Sequence, residues 1–195
     1  MKKRSIDPEK KIDQVIRAAR RLFVKKGFYA VPIPEIVKES GVSVGAIYLH
    51  FGNKENLAAA IYKKTLDDFL EQYNQRLLGQ ESTRQKLQVF AELVFDIAEN
   101  EPDMIKYMLS VRQCPHPDCA APLCSTKPFQ LVQEFVAAGI AAGEVKAGDH
   151  LLAAVSYTGV VLRAVELRLQ RVLEQPLPEL AGELIDNAWS SIKSG

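Results

Sequence analysis

Cysteine is scarce in this chain of 195 residues, and all three copies fall in one stretch, Cys114-Pro-His-Pro-Asp-Cys119-Ala-Ala-Pro-Leu-Cys124. An odd, clustered set gives no disulfide framework, which excludes a disulfide-stapled miniature fold and fits a reducing, cytoplasmic setting. Long apolar runs are also missing: none reaches roughly 18 residues, so no membrane-spanning helix is expected. The N-terminal MKKRSIDPEKK is basic but leads into a charged helix rather than an apolar core, so no secretory leader is expected. Period-two alternation bounded by hairpin turns does not occur, and strands are not expected either. Neither a Gly-rich phosphate loop nor paired histidines on one helix face can be found. Cys114 and His116 supply a thiol and an imidazole, but a Pro-rich loop offers no scaffold to orient them for nucleophilic catalysis. The expectation is therefore no enzyme, no catalytic residue and no cofactor.

What remains is the composition of a globular protein, 47% hydrophobic and 25% charged, long enough for one ordinary domain or two small ones. The net charge of +1 hides an asymmetry. Residues 1–50 carry 11 Lys/Arg against 5 Asp/Glu, a net +6, while residues 51–195 carry 14 against 19, a net −5. A basic front end on an acidic body suggests a polyanion-binding module joined to something else. Lys2, Lys3 and Arg4 fit either an arm on that module or an unstructured tail.

Helical periodicity runs almost throughout. Ile12, Val15, Ile16, Ala19, Leu22 and Phe23 repeat at helix spacing before Gly27. A short helix follows from Pro32 to about Ser40, then another from Val44 to about His50. Asn53 can cap a long helix ending near Gly79, and Ser82-Thr-Arg-Gln85 forms a capping box for the next. Further helices are predicted from Pro102 to about Val111, from Pro128 to near Gly143, and from Asp149 to about Glu174, with a last one after Pro176-Leu-Pro178. The fold class is all-α with about nine helices.

The segment IPEIVKESGVSVGAIYLHFGNKENL, residues 33–57, carries the chemistry. Two short helices meet at Ser40-Gly41-Val42-Ser43, the layout of a helix-turn-helix. Gly41 can take the positive φ that leaves the first helix, Val42 plugs the core, and Ser43 caps the second helix. Free N–H groups at that second start suit a phosphate. Gly45, costing about 1 kcal/mol against alanine, suggests close approach of backbone to a DNA edge. Lys54, opening the next helix, is placed for a backbone phosphate, and Phe51 is expected in the core.

These residues resemble the DNA-binding region of the TetR family of bacterial transcriptional regulators. The resemblance runs from Ile16-x-x-Ala19-x-x-Leu22-Phe23 through Gly27-Phe28 and Ile36 to Gly41-Val42-Ser43, Gly45, Tyr48, Phe51, Lys54-Glu55 and Leu57. It implies that Val44, Gly45, Tyr48 and Leu49 face the major groove, and that Ser43, Tyr48, His50 and Lys54 reach phosphates. Where many members carry hydroxyl residues, this chain has Val31-Pro32, so one cap and phosphate contact is missing. Leu49 can touch a thymine methyl but cannot read a base by hydrogen bonding. The implied organisation is a three-helix helix-turn-helix domain, 1–52, joined to a helical effector-binding and dimerisation domain, 53–195. The implied function is a repressor released from its operator by a small molecule, the alternative being constitutive binding.

A reader this small is expected to work as a homodimer on a palindromic double-stranded operator. The last two helices are the natural seam, with Leu151, Leu152, Val155, Val160, Val161, Leu162 and Leu169 on one and Leu180, Leu184, Ile185, Ala188 and Trp189 on the other. The body between offers Phe69, Tyr73, Phe90, Met104, Tyr107, Met108, Phe129, Tyr157 and Arg163 as candidates around an unidentified effector, which the resemblance implies, while for most of the apolar ones a packed core is the expected role. For the cysteine loop, a Cys3His metal site (Cys114, His116, Cys119, Cys124), a thiol switch aided by Arg112 and Lys127, and an inert loop all stay open.

Overall fold

Local capping chemistry sets most helix boundaries in the computed structural model, which describes residues 8–109, 116 and 125–195. Among the described residues there are nine helices: α1 (Pro8–Lys26), α2 (Ile33–Ser40), α3 (Val44–Phe51), α4 (Lys54–Leu77), α5 (Thr83–Asn100), α6 (Pro102–Leu109), α7 (Lys127–Ala141), α8 (His150–Leu169) and α9 (Leu177–Ile192). The only extended pairing among them is one isolated antiparallel bridge, Val145 to Lys193. The capping box before α5 is complete. Ser82 Oγ accepts from the Gln85 N–H at 3.2 Å, and Gln85 Oε1 accepts from the Ser82 N–H at 3.0 Å. Asp149 caps α8 by accepting from Leu151 N at 2.7 Å and Leu152 N at 3.2 Å. Each such cap stabilises its helix by about 1 kcal/mol.

Two boundaries differ from expectation. Helix α8 stops at Leu169 rather than near Glu174, because the N–H groups of Val172 and Leu173 both turn back to the Leu167 carbonyl and Arg171 adopts φ 60°. The Arg168 guanidinium then fastens this turn, donating to the carbonyls of Leu173 and Glu174. Helix α9 begins at Leu177, with Pro178 inside its first turn, where a missing N–H costs nothing.

The chain divides into two compact units, one drawn from Met1–Leu66 and Lys106–Ala121, the other from Asp67–Ile105 and Pro122–Gly195. In the first, α1 to α3 and the start of α4 enclose Val15, Ala19, Phe23, Ile36, Val42, Ile47, Phe51, Leu57 and Ile61, all buried. Tyr107 of α6 joins that core and donates to the Ala58 carbonyl at 3.1 Å. Arg20, which the periodicity of α1 leaves unremarked, is buried and donates to Thr65 Oγ1 at 3.3 Å, and that hydroxyl donates to the Ile61 carbonyl.

In the second unit α5 is the hub, packed by α7, α8 and α9 and burying ten of its residues, which explains why its sequence is apolar on more than one face. Gly139 of α7 lies so close to α5 that a Cβ there would sit 2.7 Å from Thr83 Cγ2 and 2.8 Å from Val145 Cγ2. Glu144, just beyond α7, caps α5 by accepting from Thr83 N and Oγ1 at 3.1 Å. Glu99 of α5 accepts from Arg168 Nε at 2.7 Å and from Leu177 N at 3.0 Å, so one carboxylate holds the end of α8 and the start of α9. Those donors pull the Glu99 carboxyl below its ordinary range, the Arg168 hydrogen bond most, against the opposing effect of burial. Helix α8 is, by length and composition, apolar enough to cross a membrane, yet Ala154, Tyr157, Thr158, Val161, Ala164 and Val165 are buried within this unit.

Candidate nucleic-acid interface

The turn between α2 and α3 forms for the reasons its residues suggest. Gly41 takes φ 69° and its N–H caps α2 on the Val37 carbonyl at 2.9 Å. Val42 is buried, and its N–H donates to Ser40 Oγ at 3.2 Å. Ser43 caps α3, its Oγ accepting from Ala46 N at 3.4 Å. Helix α3 anchors itself by Ile47 and Phe51 alone, both buried. Everything else on it faces outward: Val44, Gly45, Ala46, Tyr48, Leu49 and His50 are exposed, Leu49 by 90%. His50 packs edge-on against Phe51, ring centres 4.5 Å apart. A methyl added at Gly45 would meet nothing within 4 Å, so no neighbour among the described residues demands glycine there.

Asn53 caps α4, its Oδ1 accepting from Asn56 N at 2.7 Å. Lys54 follows at once and is half-buried, with Nζ 4.3 Å from the centre of the Phe28 ring. Burial lowers its pKa from the ordinary lysine value, and the neighbouring Glu55 carboxylate works the other way. Such a cation–π contact contributes about 1 kcal/mol and holds the ammonium in place. Helix α2 is tied to α1 by ion pairs Arg21–Glu39, at 2.7 Å, and Lys26–Glu35. Pro32 stands at the N-cap of α2 without a side-chain cap.

The candidates for an effector site divide differently. Phe69, Tyr73 and Phe90 pack ring against ring at 5.8–6.0 Å, with Phe135 6.3 Å from Tyr73. Tyr73 donates to the Lys86 carbonyl at 3.0 Å and Tyr157 to the Leu87 carbonyl at 2.9 Å. Burial raises the pKa of both phenols, and of Tyr107 in the other unit, so they are neutral donors anchoring helices. Met104 and Phe129 are buried and Met108 half-buried. Arg163 is not enclosed: it lies on the exposed side of α8, paired with Glu166 at 2.6 Å. Cys114, Cys119, Cys124 and Arg112 of the cysteine loop, and the basic residues Lys2, Lys3 and Arg4, lie outside the described residues. His116 is half-buried, and Lys127 pairs with Glu134 at 3.4 Å.

The family model for bacterial regulatory proteins of the tetR family matches residues 15–61, the span from the middle of α1 to the middle of α4. Over those residues the chain carries the DNA-binding region of the tetR family. The HTH-type transcriptional activator FasR of Mycolicibacterium smegmatis is 27% identical over 125 residues, 61% of this chain and 57% of FasR. The chain spans 57% of FasR and 52% of the Bacillus subtilis fatty acid metabolism regulator protein, and less than half of other curated relatives it matches. Among solved TetR-family structures, a transcription regulator from Marinobacter aquaeolei superposes with TM-score 0.81 over 96% of this chain and 97% of its own, at 20% identity. Bacillus subtilis FadR, solved in complex with stearoyl-CoA, gives TM-score 0.75 over 92% and 98% at 22% identity. At such identities these two likenesses establish the TetR-family fold, all-helical and shared across nearly the whole chain.

Proposed function

We propose that this chain is a sequence-specific DNA-binding repressor of the TetR family that leaves a palindromic operator when a small molecule binds its second unit. One observation carries the reading most: α3 is held by two buried residues, and Val44, Gly45, Tyr48 and Leu49 are exposed on it, Leu49 most of all. Ser43 and Lys54 stand at either end of α3 as phosphate donors, and His50 lies exposed between them. Loss of solvent-exposed apolar area on docking, with phosphate donors at the margins, is the division of labour expected of a major-groove reader.

The body supports the dimer. Leu151, Leu152 and Val155 are 40%, 66% and 49% exposed on one side of α8, and Gly159 on the same helix has open space where a Cβ would stand. Ile185, Ala188 and Trp189 of α9 turn inward instead, so the seam draws on α8 more heavily than on the apolar residues of α9. A second chain laid on this side would cover the exposed leucines.

Titration of labelled promoter DNA, first without ligand and then with a panel that begins with stearoyl-CoA, tests both halves of the proposal. Salt-dependent binding followed by ligand-driven release is expected. Absence of salt-dependent binding to any duplex would overturn the DNA reading. Tighter binding with ligand would instead overturn ligand-driven release.

A further inference from the structure

A phosphate contact is closed off at α2, and the structure shows what stands beside the gap. Pro32 and Pro34 remove two N–H donors from the start of the helix, and the Glu35 N–H is already bonded to the Pro32 carbonyl at 3.0 Å. No hydroxyl caps this terminus, and the first-turn carboxylate of Glu35 would repel a phosphate while it occupies Lys26. A helix N-terminus that normally suits an anion is therefore unsuited to one here.

Three residues earlier, Tyr29 is 78% exposed in the α1–α2 turn, within a run where Ala30, Pro32 and Pro34 are exposed as well. Its hydroxyl has no partner among the described residues. The ring is nevertheless positioned: it stands edge-on to Phe28, centres 5.2 Å apart and planes at 86°. The same Phe28 ring carries the Lys54 ammonium at 4.3 Å. Phe28 is itself buried and does not move freely, so one fixed ring holds both a phenol and an ammonium.

We propose that Tyr29 is a DNA-backbone contact of this protein, its hydroxyl donating to a phosphate next to the one met by Lys54 and replacing the contact that Pro32 and Pro34 deny to α2. This rests on the DNA-binding reading above. Tyrosine hydroxyls are among the ordinary donors to phosphate oxygens, and such contacts set register without reading sequence. Because a phenol is neutral, it releases no counterion of its own, which separates it from Lys54.

The experiment measures binding of the full chain to a labelled random-sequence duplex across a salt series, for wild type, Tyr29→Phe, Tyr29→Ala and Lys54→Gln, with thermal melting of each. Tyr29→Phe should weaken binding roughly three- to tenfold per reading head, with melting temperature and salt slope unchanged. Lys54→Gln should lower the salt slope by about one per head. Wild-type affinity in both Tyr29 variants would overturn the proposal. So would a loss that appears on one selected operator and not on random duplex, since that would make Tyr29 a base reader. Failure of the wild type to bind any duplex would instead remove the DNA-binding reading itself.

Discussion

Replacing Gly45 by alanine should move folding and DNA affinity in opposite directions. The residue occupies the second position of α3, is exposed, and has nothing within 4 Å of where a Cβ would stand. Alanine there meets no clash and removes conformational freedom from the unfolded chain, a gain of about 0.4–1 kcal/mol. For a chain of this length that corresponds to roughly 1–4 °C in melting temperature. On DNA the same methyl would intrude on a surface pressed against a groove edge, and an extra methyl in a close-packed interface costs about 1–3 kcal/mol. That is a loss of roughly 5- to 150-fold in affinity per reading head. Differential scanning calorimetry reads the first effect and fluorescence anisotropy on a selected operator the second. A variant that melts higher and binds as tightly as wild type would refute the assignment of Gly45 to the DNA surface. One that melts lower would refute the claim that its surroundings are open.

Other perturbations test the body of the protein. Gly139→Ala forces a Cβ within 2.7–2.8 Å of Thr83 and Val145 and should cost about 1–3 kcal/mol, read by urea unfolding. Glu99 has a folded pKa below its ordinary value of 4.5, so its share of stability is complete above that value and is lost as pH falls through the depressed one. Glu99→Gln should therefore destabilise at neutral pH by about 2 kcal/mol and flatten the acid limb of the stability profile, with little difference from wild type at the acid extreme. Val155→Glu, an exposed position on α8, should leave the monomer folded but shift sedimentation toward it and weaken binding to a two-half-site operator far more than to a single half-site.

What could be read from the sequence was what depends on near neighbours in the chain. The Ser82–Gln85 box, the Asp149 cap and the positive φ of Gly41 each need only three or four consecutive residues, and each stands as expected. The outward face of α3 was legible for the same reason, since eight residues can bury only one narrow stripe. Contacts between distant segments were not. Glu144 caps a helix that begins 61 residues earlier, and nothing around it in sequence announces that role. Glu99 and Arg168 are 69 apart, and their pairing helps end α8 sooner than its apolar pattern suggests. Arg163 was a candidate because it is set in an apolar helix, but it lies on the exposed side of α8, where it pairs with Glu166. Tyr29 was not legible because a turn residue has no periodicity to violate. The available hint was a second aromatic directly after Phe28, with no helix face to receive it.

The first compact unit is assembled from two separate parts of the chain, and this bears on how such a reader could be transplanted. Cutting after Leu66 would keep α1 to α3 and the first half of α4 but discard Tyr107, a buried ring in that core and the donor to the Ala58 carbonyl. A graft of the N-terminal stretch alone onto a foreign sensor would thus leave a tyrosine-sized hole beside Ala58, Tyr62 and Arg20. Removing a large aromatic from a core costs about 3–5 kcal/mol, enough to unfold many small domains. A portable version of this reader would need the α6 end supplied in trans, or a substitute aromatic built into the new partner. The evolutionary corollary is that exchange of sensing bodies between such proteins should carry the second piece along with the first.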